Sequence, residues 1–134
     1  MVQAGNNDSG LKGVRVLVAE DEFAIAMFLA EYLQLKGAEV IGPAGDLEAL
    51  GRLLDSHAVD AALLDINLGG EKVYPLADRL NAAGTPFLLT SGYDDNLPSR
   101  FAGAPRCSKP YRIEALAQQL THLLSIRRAS ASTA

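Results

Sequence analysis

Val14-Arg15-Val16-Leu17-Val18-Ala19-Glu20-Asp21-Glu22 is the stretch that decides the fold. Its first six residues are apolar except for Arg15, which predicts a strand over about 14–19 buried on both faces rather than one. Two carboxylates, Glu20 and Asp21, stand where that strand must end. A helical pattern follows from Glu22 to Lys36, with Ile25, Leu29, Tyr32 and the aliphatic stem of Lys36 on one face and Gly37 as its stop. Strand, polar tip and amphipathic helix make one unit, and the rest of the chain repeats it.

The second strand is expected over Ala38 to Ile41, ended by Gly42-Pro43. Asp46 then suits the N-cap of a helix carrying Leu47, Leu50, Leu53 and Leu54. The third strand runs from about Val59 to Leu64 and carries Asp65 at its tip; a Gly69-Gly70 loop leads to a helix from Val73 to Ala83. That helix buries Val73, Leu76, Ala77 and Leu80, admits Pro75 in its first turn and stops at Gly84. The fourth strand is Pro86 to Thr90, followed by Ser91. The polar segment Gly92 to Gly103, broken by Pro98, leaves room for a short helix at most, with Asp94-Asp95 as its cap. A minimal fifth strand, about Pro105 to Cys107, precedes Lys109 and a last helix from Arg112 to Arg128, in which Arg127 and Arg128 suit the C-terminal end. Residues 1–12 and the small-residue stretch 129–134 read as a flexible N-terminal segment and a disordered tail flanking one domain over 13–128.

Five such units with nearly continuous apolar strands predict an α/β fold: a parallel five-stranded sheet, doubly wound, in the flavodoxin-like order 2-1-3-4-5. Ligands of such sheets sit beyond the carboxyl ends of the strands, at the point where strands one and three diverge. Glu20, Asp21 and Asp65 occupy those ends. Like charges at about 4 Å repel by roughly 4 kcal/mol at an effective dielectric near 20. A cluster of that kind suits a divalent cation with oxygen ligands.

Composition narrows the class. The 134 residues are 49% hydrophobic and 21% charged, which fits one globular domain with a single core. A net charge of −4 gives no encouragement to nucleic-acid or anionic-membrane binding. No apolar run approaches the roughly 18 residues of a membrane span, and the first ten residues lack the pattern of a secretory signal. The single Cys107 excludes an internal disulfide and fits a reducing, cytoplasmic setting.

Ser91 and Lys109 join the acidic residues at the ends of strands four and five. Taken singly, Ser91 is an ordinary turn residue and Lys109 a solvated lysine. Two acids, one Asp, one hydroxyl and one Lys in that order at four strand ends resemble the receiver domain of two-component response regulators, over about Val14 to Ile126. The resemblance implies that Asp65 accepts a phosphoryl group from a sensor histidine kinase or a histidine phosphotransfer protein. It further implies that Mg²⁺ is held by Glu20, Asp21, Asp65 and the backbone carbonyl of Asn67, while Lys109 and Ser91 contact the phosphoryl oxygens. A cis Lys109-Pro110 bond is implied as well, with output through a surface near the fourth helix, the fifth strand and the last helix to an unidentified downstream protein. On this reading the chain is a phosphoacceptor with at most self-phosphorylation and autodephosphorylation activity. It stands alone without an effector domain, is monomeric or weakly dimeric, and signals or relays phosphate.

Arg106 stands where the family usually has an aromatic residue three before the lysine. Pro86-Phe87…Ser91-Gly92-Tyr93 with Lys109-Pro110-Tyr111 instead is similar to the subfamily with a PFxFATGY-type motif, and Tyr93 is the candidate to replace the missing aromatic. An alternative is a phosphohydrolase of the haloacid-dehalogenase kind with Asp65 as nucleophile. That chemistry wants a second Asp two residues on as general acid, where this chain has Asn67. A nucleotide-binding domain lacks its glycines after strand one, and a degenerate docking receiver would not need the intact set. Cys107 reads as a buried small residue, and His57 and His122 as surface residues.

Overall fold

The computed structural model describes residues 10–92 and 96–133, with side chains as far as residue 127 in the last helix. Tyr93, Asp94 and Asp95, like residues 1–9 and 134, lie outside the described residues. Strand β1 spans Arg15–Ala19, β2 Glu39–Ala44, β3 Ala61–Asp65, β4 Asn67–Leu68, β5 Glu71–Lys72, β6 Phe87–Ser91 and β7 Arg106–Ser108. Helix α1 spans Phe23–Leu35, α2 Leu47–Ser56, α3 Tyr74–Ala83 and α4 Ile113–Thr133, and one 3₁₀ turn covers Ser99–Phe101. The main sheet has the order β2-β1-β3-β6-β7, all pairs parallel, which is the expected doubly wound arrangement.

Alternation along the strands builds two cores. Val16, Val18, Ala61, Leu63 and Leu88 pack with Leu29 and Leu33 of α1 and Leu116 and Leu120 of α4. Leu17, Ala62, Leu64, Phe87 and Leu89 pack with Leu50 of α2 and Leu76, Ala77 and Leu80 of α3. Side chains of a strand point to opposite faces in turn, so the central strands must be apolar throughout, as their sequence is. Continued past the strand ends, the same parity places Glu20, Asp65 and Lys109 on the α1/α4 side.

Several local signals act as expected. The Asp46 side chain accepts a hydrogen bond from the Ala49 amide at 2.8 Å, and Gly84 closes α3 with φ 73°. Others differ. Strand β2 does not end at Ile41: it continues through Gly42-Pro43, with a register shift, and Ala44 pairs with Ala19. Because β2 is an edge strand, the missing amide of Pro43 costs the ladder little. Residues 10–12 are not frayed, since Leu11 is buried and its carbonyl accepts from the Val14 amide at 3.0 Å. The Gly69-Gly70 loop is the turn of an antiparallel hairpin, β4-β5. Helix α1 buries Ala26, Leu29, Ala30 and Leu33, while Ile25 and Tyr32 are only half-buried. The last helix runs past Arg128 to Thr133, so Arg127 is not in its terminal turn; no Gly or Pro interrupts 113–133.

Candidate functional site

Four strand tips meet at the carboxyl edge of the sheet. The Glu20 amide donates to the Ala44 carbonyl at 2.9 Å, which anchors the end of β1 to β2. On the other side, the Ile66 amide donates to the Thr90 carbonyl at 3.0 Å, and the Lys109 amide to the Ser91 carbonyl at 2.8 Å. This main-chain lacing fixes where each side chain starts. Glu20, Asp21 and Asp65 then offer carboxylate oxygens that all lie within 4.8 Å of one another. Glu20 and Asp65 are 3% and 4% exposed, whereas Asp21 faces solvent. A cluster with one wet member and only oxygen donors suits a hard cation that keeps part of its water shell, and Mg²⁺ fits that description.

One cation of the chain itself enters the cluster. Lys109 Nζ donates to Asp65 Oδ2 at 2.8 Å and lies 3.6 Å from Glu20 Oε1. Three more oxygens take backbone donors: Glu22 N to Glu20 Oε2 at 3.0 Å, Asn67 N to Asp65 Oδ1 at 3.3 Å, and Gly69 N to Asp21 Oδ2 at 2.9 Å. The balance is still short of positive charge. Burial pushes the Glu20 carboxyl above its usual range; the charges of Asp65 and Asp21 add to this, and the Glu22 amide and Lys109 only partly oppose it. Burial likewise raises Asp65 against the pull of its hydrogen bond from Lys109. For Lys109, burial acts downward, but the hydrogen bond to Asp65 and the charges of Asp65 and Glu20 outweigh it and hold the ammonium above the ordinary lysine range.

The structure thus brings together Glu20, Asp21, Asp65 and Lys109. Ser91 is 2% exposed and ends β6 one residue past Thr90, which pairs with Asp65 across the sheet. Asn67 opens the hairpin, where its side chain accepts from Lys72. The Lys109-Pro110 bond is cis. Cys107 is a half-buried free thiol that burial pushes up, and both histidines are exposed. Two features escaped the sequence reading. The Gly69 amide on Asp21 is one; its signal was a Gly-Gly pair between two short segments, a two-residue hairpin turn. The other is Tyr111, whose buried hydroxyl has no hydrogen-bond partner among the described residues and is pushed up to about 12 by burial, then by the charge of Glu20. Beside it a cavity of about 600 Å³ opens between α1 and the segment after Lys109, walled by Ile25, Phe28, Tyr32 and Ile113.

No family model matches the chain. It is 39% identical over 69 residues to the transcriptional regulatory protein PdtaR of Mycobacterium tuberculosis; the match takes in 52% of this chain and 31% of that protein, so the chain spans about a third of this relative's length. The solution structure of SdrG from Sphingomonas melonis Fr1 is 32% identical with a TM-score of 0.71, covering 86% of this chain and 97% of that one. A CheY-like response regulator receiver domain protein from Methanospirillum hungatei JF-1 shares the fold, with a TM-score of 0.79 at 22% identity over 89% of this chain and 99% of that one.

Proposed function

The chain belongs to the receiver domains of two-component response regulators, and on that premise we propose that Asp65 accepts a phosphoryl group from the phosphohistidine of a kinase or phosphotransfer protein. The observation that carries this reading is the meeting of three carboxylates within 4.8 Å with an ammonium 2.8 Å from one of them. A carboxylate is a sufficient nucleophile here because the leaving imidazole departs readily. An oxygen of Asp65 attacks phosphorus, the P–N bond to the histidine breaks, and the imidazole takes up a proton as it leaves. The product is an acyl phosphate on Asp65.

The residues divide the remaining work. Lys109 exchanges its carboxylate partner for a phosphoryl oxygen, a move its long stem allows without main-chain change. Ser91 donates its hydroxyl to another oxygen, and because it ends β6, that contact pulls on the segment 92–105. Glu20, Asp21, Asp65 and the carbonyl of Asn67 hold Mg²⁺, which when bound supplies the positive charge that the cluster lacks. The donor protein needs a seat beside the site. Phe23 and Phe28 of α1, 79% and 64% exposed, offer it an apolar one. Signalling then follows from contacts of the phosphorylated form with a downstream protein. No helix among the described residues is long and apolar enough to cross a membrane.

Incubation with acetyl phosphate and Mg²⁺ tests the assignment by intact mass. The expected result is one phosphoryl group on the wild type, none on Asp65→Ala, and none without Mg²⁺. Labelling of Asp65→Ala to the wild-type level contradicts it, and sustained turnover of a generic phosphomonoester would make the chain a hydrolase instead.

A further inference from the structure

The hairpin β4-β5 is an addition to the five βα units, and it sits directly behind the acceptor strand. It delivers two main-chain donors to two different carboxylates: Asn67 N to Asp65 Oδ1, and Gly69 N to Asp21 Oδ2. Asp21 belongs to the tip of β1 and Asp65 to the tip of β3, so the hairpin spans both sources of the acidic cluster. It is itself held in place. Lys72 donates to the Asn67 side chain across the hairpin, and the Val73 amide donates to the Ile66 carbonyl at 2.8 Å.

Gly69 is where the hairpin meets the rest of the rim. Its φ is +59°, and a Cβ there would lie 3.1 Å from the Gly45 carbonyl oxygen and 3.2 Å from Asp46 Cβ. A side chain there would have to push the Gly45 carbonyl and Asp46 back by a few tenths of an ångström, on top of the strain of a positive φ, to keep the amide on Asp21. Its neighbour Gly70 also has positive φ, 85°, but a Cβ there would meet nothing within 4 Å. The two glycines share a backbone requirement and differ in one respect: only the first is pressed against the rim.

We infer that the β4-β5 hairpin is the positioning element of the metal site, with the Gly69 amide fixing one oxygen of Asp21 so that the other is presented to the ion. Asp21 is the exposed member of the cluster and has the most freedom to turn away, so it gains most from an anchor. Groups that orient a metal ligand contribute about tenfold or more in affinity without touching the ion. The inference rests on the Mg²⁺ site proposed above.

A Mg²⁺ titration followed by calorimetry, on the unphosphorylated protein, separates the two claims. Gly69→Ala is expected to bind Mg²⁺ about tenfold more weakly, and Gly70→Ala, which is also strained by a positive φ but makes no such contact, to bind near the wild-type level. Asp21→Asn is the reference for loss of a ligand. Equal weakening by both alanines assigns the effect to strain and overturns the inference, as does an unchanged Gly69→Ala beside a weakened Asp21→Asn. If the wild type binds no Mg²⁺, the site itself is wrong and the inference falls with it. A measurement free of variants at 69 reads the same contact. The Gly69 amide resonance of the wild type must shift during the titration as strongly as those of Glu20 and Ile66; a stationary Gly69 overturns the inference.

Discussion

Two regions of the same strands, a few ångströms apart, follow opposite rules. In the body of the sheet, Leu17, Leu64, Leu88 and Leu89 are fully buried and pack among other apolar side chains. At its carboxyl edge, Glu20, Asp65 and Ser91 are as deeply buried, yet two of the three are carboxylates facing a third. The body stabilises the fold, and the edge gives part of that stability back. Buried like charges with one ammonium among them are tolerated because the surrounding ladder over-determines where they sit. The site is strained by composition rather than by backbone: no non-glycine residue among those described has positive φ.

The difference can be broken first from the apolar side. Leu64→Ala leaves a cavity one residue from Asp65 and is expected to lower the unfolding free energy by about 3 kcal/mol, measured by urea denaturation. The folded fraction should still bind Mg²⁺ with wild-type affinity; a tenfold loss would show that body and edge are not separable. On the polar side, Lys109→Met removes the ammonium and leaves Asp65 and Glu20 without their side-chain cation. That change is expected to cost about 1–2 kcal/mol without Mg²⁺, at the low end for a buried pair because Lys109 is partly exposed. Added Mg²⁺ should restore most of it.

Glu20→Gln sharpens the contrast with a smaller change of the opposite sign. Removing one of three mutually repelling charges is expected to stabilise the metal-free fold by about 1 kcal/mol while weakening Mg²⁺ binding. The pH dependence follows from the directions already given. Glu20 and Asp65 are raised in the folded state, so the folded chain holds protons that the unfolded chain releases. Their contribution is therefore fully present below the ordinary carboxylate range near about 4 and is lost as pH rises through the raised values. Wild type without Mg²⁺ should lose more stability over that interval than Glu20→Gln. Identical pH profiles for the two would remove the like-charge argument.

Much of this contrast was legible in the sequence because both regions are written in the same period. Val16 to Ala19 and Ala61 to Leu64 are unbroken apolar runs, and the polar residues follow at once, so each strand and its polar tip form one pattern. What stayed hidden has physical reasons. The hairpin's paired segments are two residues each, too short to carry any alternation. The buried face of α1 is wider than Ile25, Leu29 and Tyr32, which do pack on the core, and its limits are hard to read because the helix is apolar nearly all round: Phe23, Met27, Phe28 and Leu35 are exposed alongside a buried Leu29 and Leu33. Gly42-Pro43 reads as a stop, and only the edge position of β2 makes it harmless. The Gly69–Asp21 contact spans 48 positions and involves a main-chain donor, which no side-chain pattern announces.

Position 65 is the proposed acceptor within a cation-holding edge. Beryllofluoride, a tetrahedral mimic of a phosphoryl group on a carboxylate, tests it without any partner protein. Amide resonances of Ser91, Lys109 and the segment after β6 should shift on saturation only when Mg²⁺ is present and residue 65 is Asp. Equal shifts in Asp65→Ala, or in the wild type with Mg²⁺ chelated, would contradict it.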